Sequence, residues 1–442
     1  MNVWPQTAIA LLCATVVAHA DEQPPTQKRP VPDYDGRGEQ PVRDADIAAA
    51  PVRLLLAPLH LAAEVIRRMI GGLAIAAERA DLPRKAYDFF LFAPEHKGGV
   101  IPVGFMSFGI HPSVGAYAFW NDAFFVPGHD VRLHVEGWPG GWFGATFTER
   151  LQFTDNALQL RAVVVQRPDD LFYGFGPNSL QSNQSRYREH RIDATLGFEQ
   201  GLWRGSRIVI DGGVRRMRVG AGDYGNDPSV DEKATMGAFE LPYGFGRSYF
   251  GPTGRIYGAF DARESPHSSG VRLEAQASGG SDVTQMPRAA WVRYGAVATG
   301  TVDLDGHDRI VELSVAGLFA DPLTASPMPF TELVTLGGKT WMSGFMSGRL
   351  VDRSAAVAEI HYRWPLAPLV DAVVQTSVGN VFGAHLDGFD VGSLRLSSGI
   401  GLGTRSSPPF EVIVGAFPRA ITSFGSFAVS AAFGSGPLRL PP

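Results

Sequence analysis

The sequence predicts an all-β chain, a transmembrane antiparallel β-barrel of roughly sixteen strands preceded by a short N-terminal helical segment. Three observations carry this expectation. Polar and apolar residues alternate with period two over most of the chain. The connections between the alternating segments are short and long by turns. Past the first apolar stretch there is no run of about eighteen apolar residues, the length a spanning helix needs, so a membrane crossing would have to be made by strands.

Composition agrees without deciding. The 442 residues are 45% hydrophobic and 19% charged, values ordinary for a soluble protein, because a barrel wall exposes only alternate residues to lipid. The 52 glycines and 11% aromatics suit strands, turns and aromatic girdles. A formal charge of -5 and a pI near 6.1 leave no footprint for nucleic acid.

The elements run as follows. Thr7 to Val17 is apolar and is followed by Ala18-His19-Ala20, a small-x-small site for cleavage before Asp21, so residues 1–20 read as a signal peptide, although Met1 to Gln6 carries no Lys or Arg. The one cysteine, Cys13, follows Leu12 rather than a small residue, which argues against a lipoprotein anchor. The exported chain would then hold no disulfide. Residues 21–50 are rich in Pro, Asp, Arg and Gln and read as a disordered leader. Within 51–98 a helical period appears: Leu59, Ala62, Ile66, Met69 and Leu73 recur at three and four residue steps. This helix is expected as a lumen plug or a periplasmic cap, the two remaining open.

From 99 to 434 the period is two, and this is the barrel; 435–442 is a tail. Arg191, Asp193, Thr195 and Glu199 alternate with Ile192, Ala194, Leu196 and Phe198. Arg132, His134 and Glu136 do so with Leu133 and Val135, Arg272, Glu274 and Gln276 with Leu273 and Ala275, and Glu359, His361 and Arg363 with Ile360, Tyr362 and Trp364. Tight turns are expected at Leu202–Ser206, Gly251–Gly254, Pro365–Leu369 and Ser406–Pro409, and long loops at Gly220–Lys233, Ala320–Val351 and Phe382–Ser393. In the last strand Phe427, Val429, Ala431 and Phe433 would face lipid.

The loop before Ser354 reads Leu336-Gly337-Gly338-Lys339-Thr340-Trp341-Met342-Ser343-Gly344-Phe345, then Gly348-Arg349-Leu350-Val351-Asp352-Arg353. A strand with Glu359 and Arg363 follows, then Gly379-Asn380. In order and spacing this resembles the bacterial surface antigen domain of the BamA/TamA superfamily, outer-membrane barrels that insert or translocate proteins. Tyr173-Gly174-Phe175-Gly176-Pro177-Asn178-Ser179 resembles an earlier loop of the same family. The resemblance implies a loop dipping into the lumen, with Gly337, Gly338, Ser343, Gly344, Phe345, Gly348, Arg349, Asp352 and Arg353 as its motif. Glu359, Arg363 and Asp371 are the candidate wall partners, Arg349, Asp352 and Arg353 pairing with Glu359 or Asp371. Ser343 stands where the family has an arginine, and repeated POTRA modules find no room before residue 99, so the chain looks like a short member made of the barrel alone.

Function follows as an expectation: an outer-membrane barrel of a Gram-negative bacterium, embedded in outer-membrane lipid, acting in assembly or translocation of nascent outer-membrane or exported proteins through a lateral seam. The alternatives are a passive channel and a structural surface-antigen barrel. No catalytic residue, cofactor or metal site is expected: the Gly-x-Ser-x-Gly elbow is missing, and inward His134, His361, Glu274 and Glu312 are what any polar lumen carries.

Overall fold

The computed structural model describes residues 89–433 except 93–96, 106–108, 266–267, 305, 307, 339–340, 368–369, 405–409 and 420–422, and from 404 onward the backbone alone. The expected signal peptide, leader, helix and tail lie outside the described residues, as do the lipid-facing side chains expected on the last strand.

One antiparallel sheet of seventeen strands dominates. It comprises a two-residue strand, β1 (Leu91–Phe92), and sixteen longer ones. These are β2 (Gly98–Phe105), β3 (Ser113–Trp120), β4 (His129–Trp138), β5 (Trp142–Phe153), β6 (Asn156–Phe172), β7 (Ser185–Gly201), β8 (Arg207–Ala221) and β9 (Ser248–Asp261). There follow β10 (Gly270–Asp282), β11 (Ala289–Asp303), β12 (Ile310–Pro322), β15 (Ser354–Ala367), β16 (Val370–Phe382), β17 (Arg395–Thr404), β18 (Phe410–Arg419) and β19 (Ser423–Phe433). A small hairpin, β13 (Val334–Leu336) with β14 (Leu350–Asp352), sits in the connection between β12 and β15. Each long strand pairs with its neighbours in the chain, β12 reaching across that hairpin to β15. The sheet is not closed: among the described residues no register joins β19 to β2.

The faces of the sheet are inverted relative to a soluble protein. On β10, Arg272 and Glu274 are buried while Val271 and Leu273 are each 47% exposed. The same holds along the wall: Ile192 and Leu196 on β7, Ile208 and Ile210 on β8, Ile256 and Phe260 on β9, Leu313 and Val315 on β12 and Ile400 on β17 are all exposed. A continuous apolar surface of this extent is costly in water and is what a lipid-facing wall requires. With 17 residues each, β6 and β7 exceed the roughly nine to eleven a tilted strand needs to cross a bilayer, so their ends stand beyond it. Toward the end of β15 the outward side carries Tyr362 stacked on Trp364, ring centroids 4.9 Å apart, buried among Val311, Val374 and Leu402. Among the described residues no helix is long and apolar enough to cross a membrane.

Connections sort by end. Connections 121–128, 154–155, 202–206, 262–269, 304–309, 368–369 and 405–409 fall at one end and 106–112, 139–141, 173–184, 222–247, 283–288, 323–353, 383–394 and 420–422 at the other, which holds the longest ones. Two expected turns move. Gly251 and Gly254 lie within β9, where Gly251 passes so close to the Ser281 carbonyl of β10 that a Cβ would collide with it; its glycine serves strand approach, and the turn is at 262–269. Pro365 lies within β15, which runs on to Ala367, so the strand extends past the expected start of that turn.

Leu196→Arg is expected to lower folding stability in lipid vesicles by roughly 2–4 kcal/mol, as a cation at the bilayer midplane does in such walls. The same change at lumen-facing Thr195 should cost far less. Urea titrations of both variants in vesicles check the difference.

Candidate functional site

The connection 323–353 turns back into the hollow of the sheet, and its sequence explains how. Gly337 and Gly338 have φ of 105° and 85°, in the left-handed region that side chains avoid. They let two tight bonds form, Gly337 N–H to the Trp341 carbonyl at 2.9 Å and Gly338 N–H to the Phe345 carbonyl at 2.7 Å. A Cβ on Gly337 would strike the Met346 backbone, and one on Gly348 (φ 78°) would strike the Leu171 carbonyl of β6. The glycines therefore set both the curl of the loop and its approach to the wall. Leu336 opposite Leu350 closes its base.

Apolar burial drives the loop inward. Phe345 is 2% exposed, and with Phe330, Leu336, Trp341, Met342 and Leu350 it joins one cluster with wall residues Phe172, Met217, Tyr249, Trp291, Val357 and Val381. Each large side chain so buried contributes about 1.5–3 kcal/mol. Phe172 sits at the centre of an edge-on aromatic group, 5.1 Å from Phe239 and 5.3 Å from Phe330.

Polar contacts fix the register. The Ser343 hydroxyl donates to the Gln375 side-chain carbonyl on β16 at 3.3 Å, and Gly344 N–H donates to Ser397 Oγ on β17 at 2.7 Å. Gln375 in turn donates to Glu359, which also accepts from Ser377 at 2.8 Å. Ser343 thus reaches Glu359 through one neutral link. The bonds described for Arg349, Asp352 and Arg353 go to partners other than the expected Glu359 and Asp371. Arg349 turns instead to the connection 173–184: its guanidinium lies 4.9 Å over the Tyr173 ring and donates to Ser179 Oγ and the Ser179 carbonyl, each at 2.8 Å, and to Gln181 at 3.1 Å. Arg353 pairs with Asp321 at the end of β12 at 2.6 Å. Asp352 accepts from the Arg353 N–H at 2.7 Å. The reason is geometric: the tip holding Ser343 and Gly344 faces β16 and β17, whereas Gly348 to Arg353 leaves the hollow along β6 and β12. Arg363 and Asp371 lie farther along β15 and β16 toward the short turns, paired across the sheet from Val373 and Pro365 respectively, and the tip of the loop bonds instead to Gln375 and Ser397.

The two motif segments thus meet although some 170 residues separate them, Arg349 and Ser179. Gly176 N–H donates to the Val351 carbonyl at 3.1 Å, and Asn380 and Arg395 both donate to the Pro177 carbonyl. The connection 222–247, with its six-residue helix α1 (Val230–Thr235) started by a Ser229–Glu232 capping box, packs on the same group: Arg186 binds Asp227 and lies 4.4 Å from the Tyr224 ring.

Glu332 anchors the near end of the loop. It accepts from Tyr249 Oη at 2.6 Å and Arg215 at 2.9 Å, with Arg293 at 4.0 Å. Burial alone would raise this carboxyl; Arg215 and Arg293 outweigh it and hold the group below its ordinary value. For Asp352 burial wins, and the carboxyl is raised despite the charge of Arg353. Glu332, Arg215, Tyr249, Gln375 and Ser397 escape sequence reading, because an inward polar residue on one strand looks like any other; only the cross-lumen contact distinguishes them.

At the short-turn end a second layer of charge crosses the hollow. Asp261 binds Arg263 and Arg272, each at 2.9 Å, Arg272 binds Glu274 at 2.7 Å, Arg263 binds Glu312 at 3.2 Å, and His361 lies 3.6 Å from Glu312. Between this layer and the loop a cavity of about 470 Å³ remains, lined by β6 to β11 and Glu332.

No family model and no curated protein matches the chain's sequence. Solved structures similar in fold include BamA from Haemophilus ducreyi lacking POTRA domains 1-3, at TM-score 0.48 and 12% identity over 76% of this chain and 70% of that one. CdiB from Escherichia coli scores 0.47 at 14% identity, covering 77% and 64%, and CdiB from Acinetobacter baumannii 0.46 at 13%, covering 75% and 58%. The chain thus spans less than two thirds of the CdiB chains. Likeness at this level is one of fold and speaks of neither activity nor partner.

Arg349→Ala strips Ser179 and Gln181 of a charged donor, a loss of about 1.5–3 kcal/mol per such bond in buried sites. Faster amide exchange across residues 336–350, with the wall strands unchanged, is the expected result. Glu332 adds a pH dependence: its folded value lies below its unfolded one, so its contribution is fully present above about pH 4.3 and is lost as pH falls through the folded value. Protection of the loop amides, relative to their intrinsic exchange at each pH, should fall on acidification in the native chain, and Glu332→Gln should flatten that fall.

Proposed function

We propose that this chain is an outer-membrane β-barrel of a Gram-negative bacterium that assists the assembly or translocation of exported polypeptides at the seam between its first and last long strands. The carrying observation is the loop 323–353, folded inward and pinned at Ser343, Gly344, Arg349 and Glu332. A loop seated in this way occupies part of the hollow, which favours traffic at the strand edges over traffic along the axis.

The edge chemistry suits that role. A strand edge presents unpaired N–H and carbonyl groups and accepts an added strand by backbone bonding alone, with no covalent step. The outer edge of β2 already carries such a guest: β1, of the same chain, pairs there with Leu91 opposite Gly99 and Phe92 opposite Gly98. An incoming strand would take the same donors and acceptors. Partners on this reading are outer-membrane lipid around the wall and nascent outer-membrane or exported proteins at the seam.

A passive channel is the second reading, favoured by the charged 470 Å³ cavity, and it requires the loop to leave its bonds. Depletion separates the two. The assembly reading expects reduced levels of a subset of outer-membrane or exported proteins when the chain is depleted, and only small, flickering conductance in planar bilayers. An unchanged outer-membrane proteome together with steady open conductance would replace it with the channel.

A further inference from the structure

The cavity between the loop and the charged layer is unevenly balanced. Its wall carries five arginines, Arg161, Arg191, Arg215, Arg255 and Arg293, against three carboxylates, Asp193, Asp211 and Glu332. Every carboxylate is engaged: Asp193 by Arg215 at 2.7 Å and Arg191 at 3.3 Å, Asp211 by Arg255 at 2.6 Å, and Glu332 by Arg215 at 2.9 Å. Glu189, outside the lining, holds Arg191 from the other side at 3.3 Å. Counting it, five arginines face four carboxylates, and the cation left over is Arg161, whose guanidinium forms no hydrogen bond or ion pair among the described residues. It feels the like charges of Arg255 and Arg191 as well as the opposite charges of Asp193 and Asp211. The adjoining cavity of about 220 Å³ shares Gln159 and repeats the pattern. There Arg132 has Asp130 at 3.6 Å and Arg150 has Glu199 at 3.4 Å, while Arg207 rests 5.7 Å over the Tyr257 ring.

We propose that the larger cavity is a binding site for a small, soluble, phosphate-bearing anion, with Arg161 as its principal ligand and Arg255 and Arg191 flanking. A planar guanidinium presents paired N–H donors that match phosphate oxygens, and a surplus guanidinium in a partly enclosed, polar wall is what such a ligand would satisfy. The volume lies within the roughly 300–1,000 Å³ range of small-molecule sites. Lipid phosphate is the wrong source: Arg161 and the other lining side chains stand on the face opposite the exposed Leu158, Leu160 and Val164 of the same strand, so the ligand must arrive through water in the hollow. This site is independent of what happens at the seam.

Inorganic pyrophosphate is the probe, titrated calorimetrically into the full chain in detergent at constant ionic strength. The expected result is saturable binding, weakened roughly tenfold or more by Arg161→Gln and largely kept by Arg161→Lys. A second measurement needs no variant: phenylglyoxal modification of the native chain, read by mass spectrometry, should be slowed by pyrophosphate at Arg161 and unaffected at Arg247. Absence of saturable binding, displacement by chloride at the same ionic strength, equal binding by Arg161→Gln, or unprotected Arg161 would each overturn the assignment.

Discussion

The structure depends on one constraint, that neighbouring residues of a strand answer to opposite solvents. Lipid offers no hydrogen bond, so the backbone must satisfy itself by pairing strand to strand, and the outward side chains must be apolar. Water on the other side lets the inward residues be charged. Arg272 and Glu274 buried beside exposed Val271 and Leu273 are that constraint at single-residue resolution. With period two fixed, a slip of one residue would turn every charge toward lipid, so register is tightly specified along the whole wall.

A hollow with a charged lining then has to be filled or flooded, and here the loop fills part of it. The loop 323–353 brings its own apolar core inward, yet a core of Phe330, Trp341 and Phe345 is non-directional and would tolerate several seatings. Direction comes from a few polar contacts: Arg349 on Ser179, Gly344 on Ser397, Glu332 between Arg215 and Tyr249. A buried ion pair such as Glu332 with Arg215 adds little net stability, since desolvation offsets much of the attraction, but breaking one partner is expensive. They select one arrangement of the loop, and through the Tyr173 to Ser179 segment they tie it to the neighbouring connections.

Much of the fold was legible in the sequence because alternation is a direct imprint of the two solvents. The segments around Arg191, Arg272 and Glu359 read as strands with the correct faces, and the expected long loops fall on the connections 222–247, 323–353 and 383–394. Glycine misled at Gly251 and Gly254, since the same absence of Cβ serves a turn or a close strand approach and only the neighbouring strand decides which. In the site, the glycines of the loop were recognisable from their spacing. The contacts of Arg349 with the carbonyl and hydroxyl of Ser179 are not recognisable in this way. Hydrogen bonds to backbone carbonyls leave no trace in side-chain identity, and contacts across a hollow follow no sequence period.

The central claim is the division of solvents along each strand, and cysteine labelling along β7 tests it most directly. The chain's one native cysteine, Cys13, would be replaced by serine, and single cysteines introduced from residue 191 to 198 would be probed in native membranes with water-soluble and lipid-soluble maleimides. The account predicts strict alternation, the water-soluble reagent reaching positions 191, 193 and 195 and the lipid-soluble one 192, 194, 196 and 198. Reaction of every position with the water-soluble reagent would contradict it, and with it the reading of this sheet as a membrane wall.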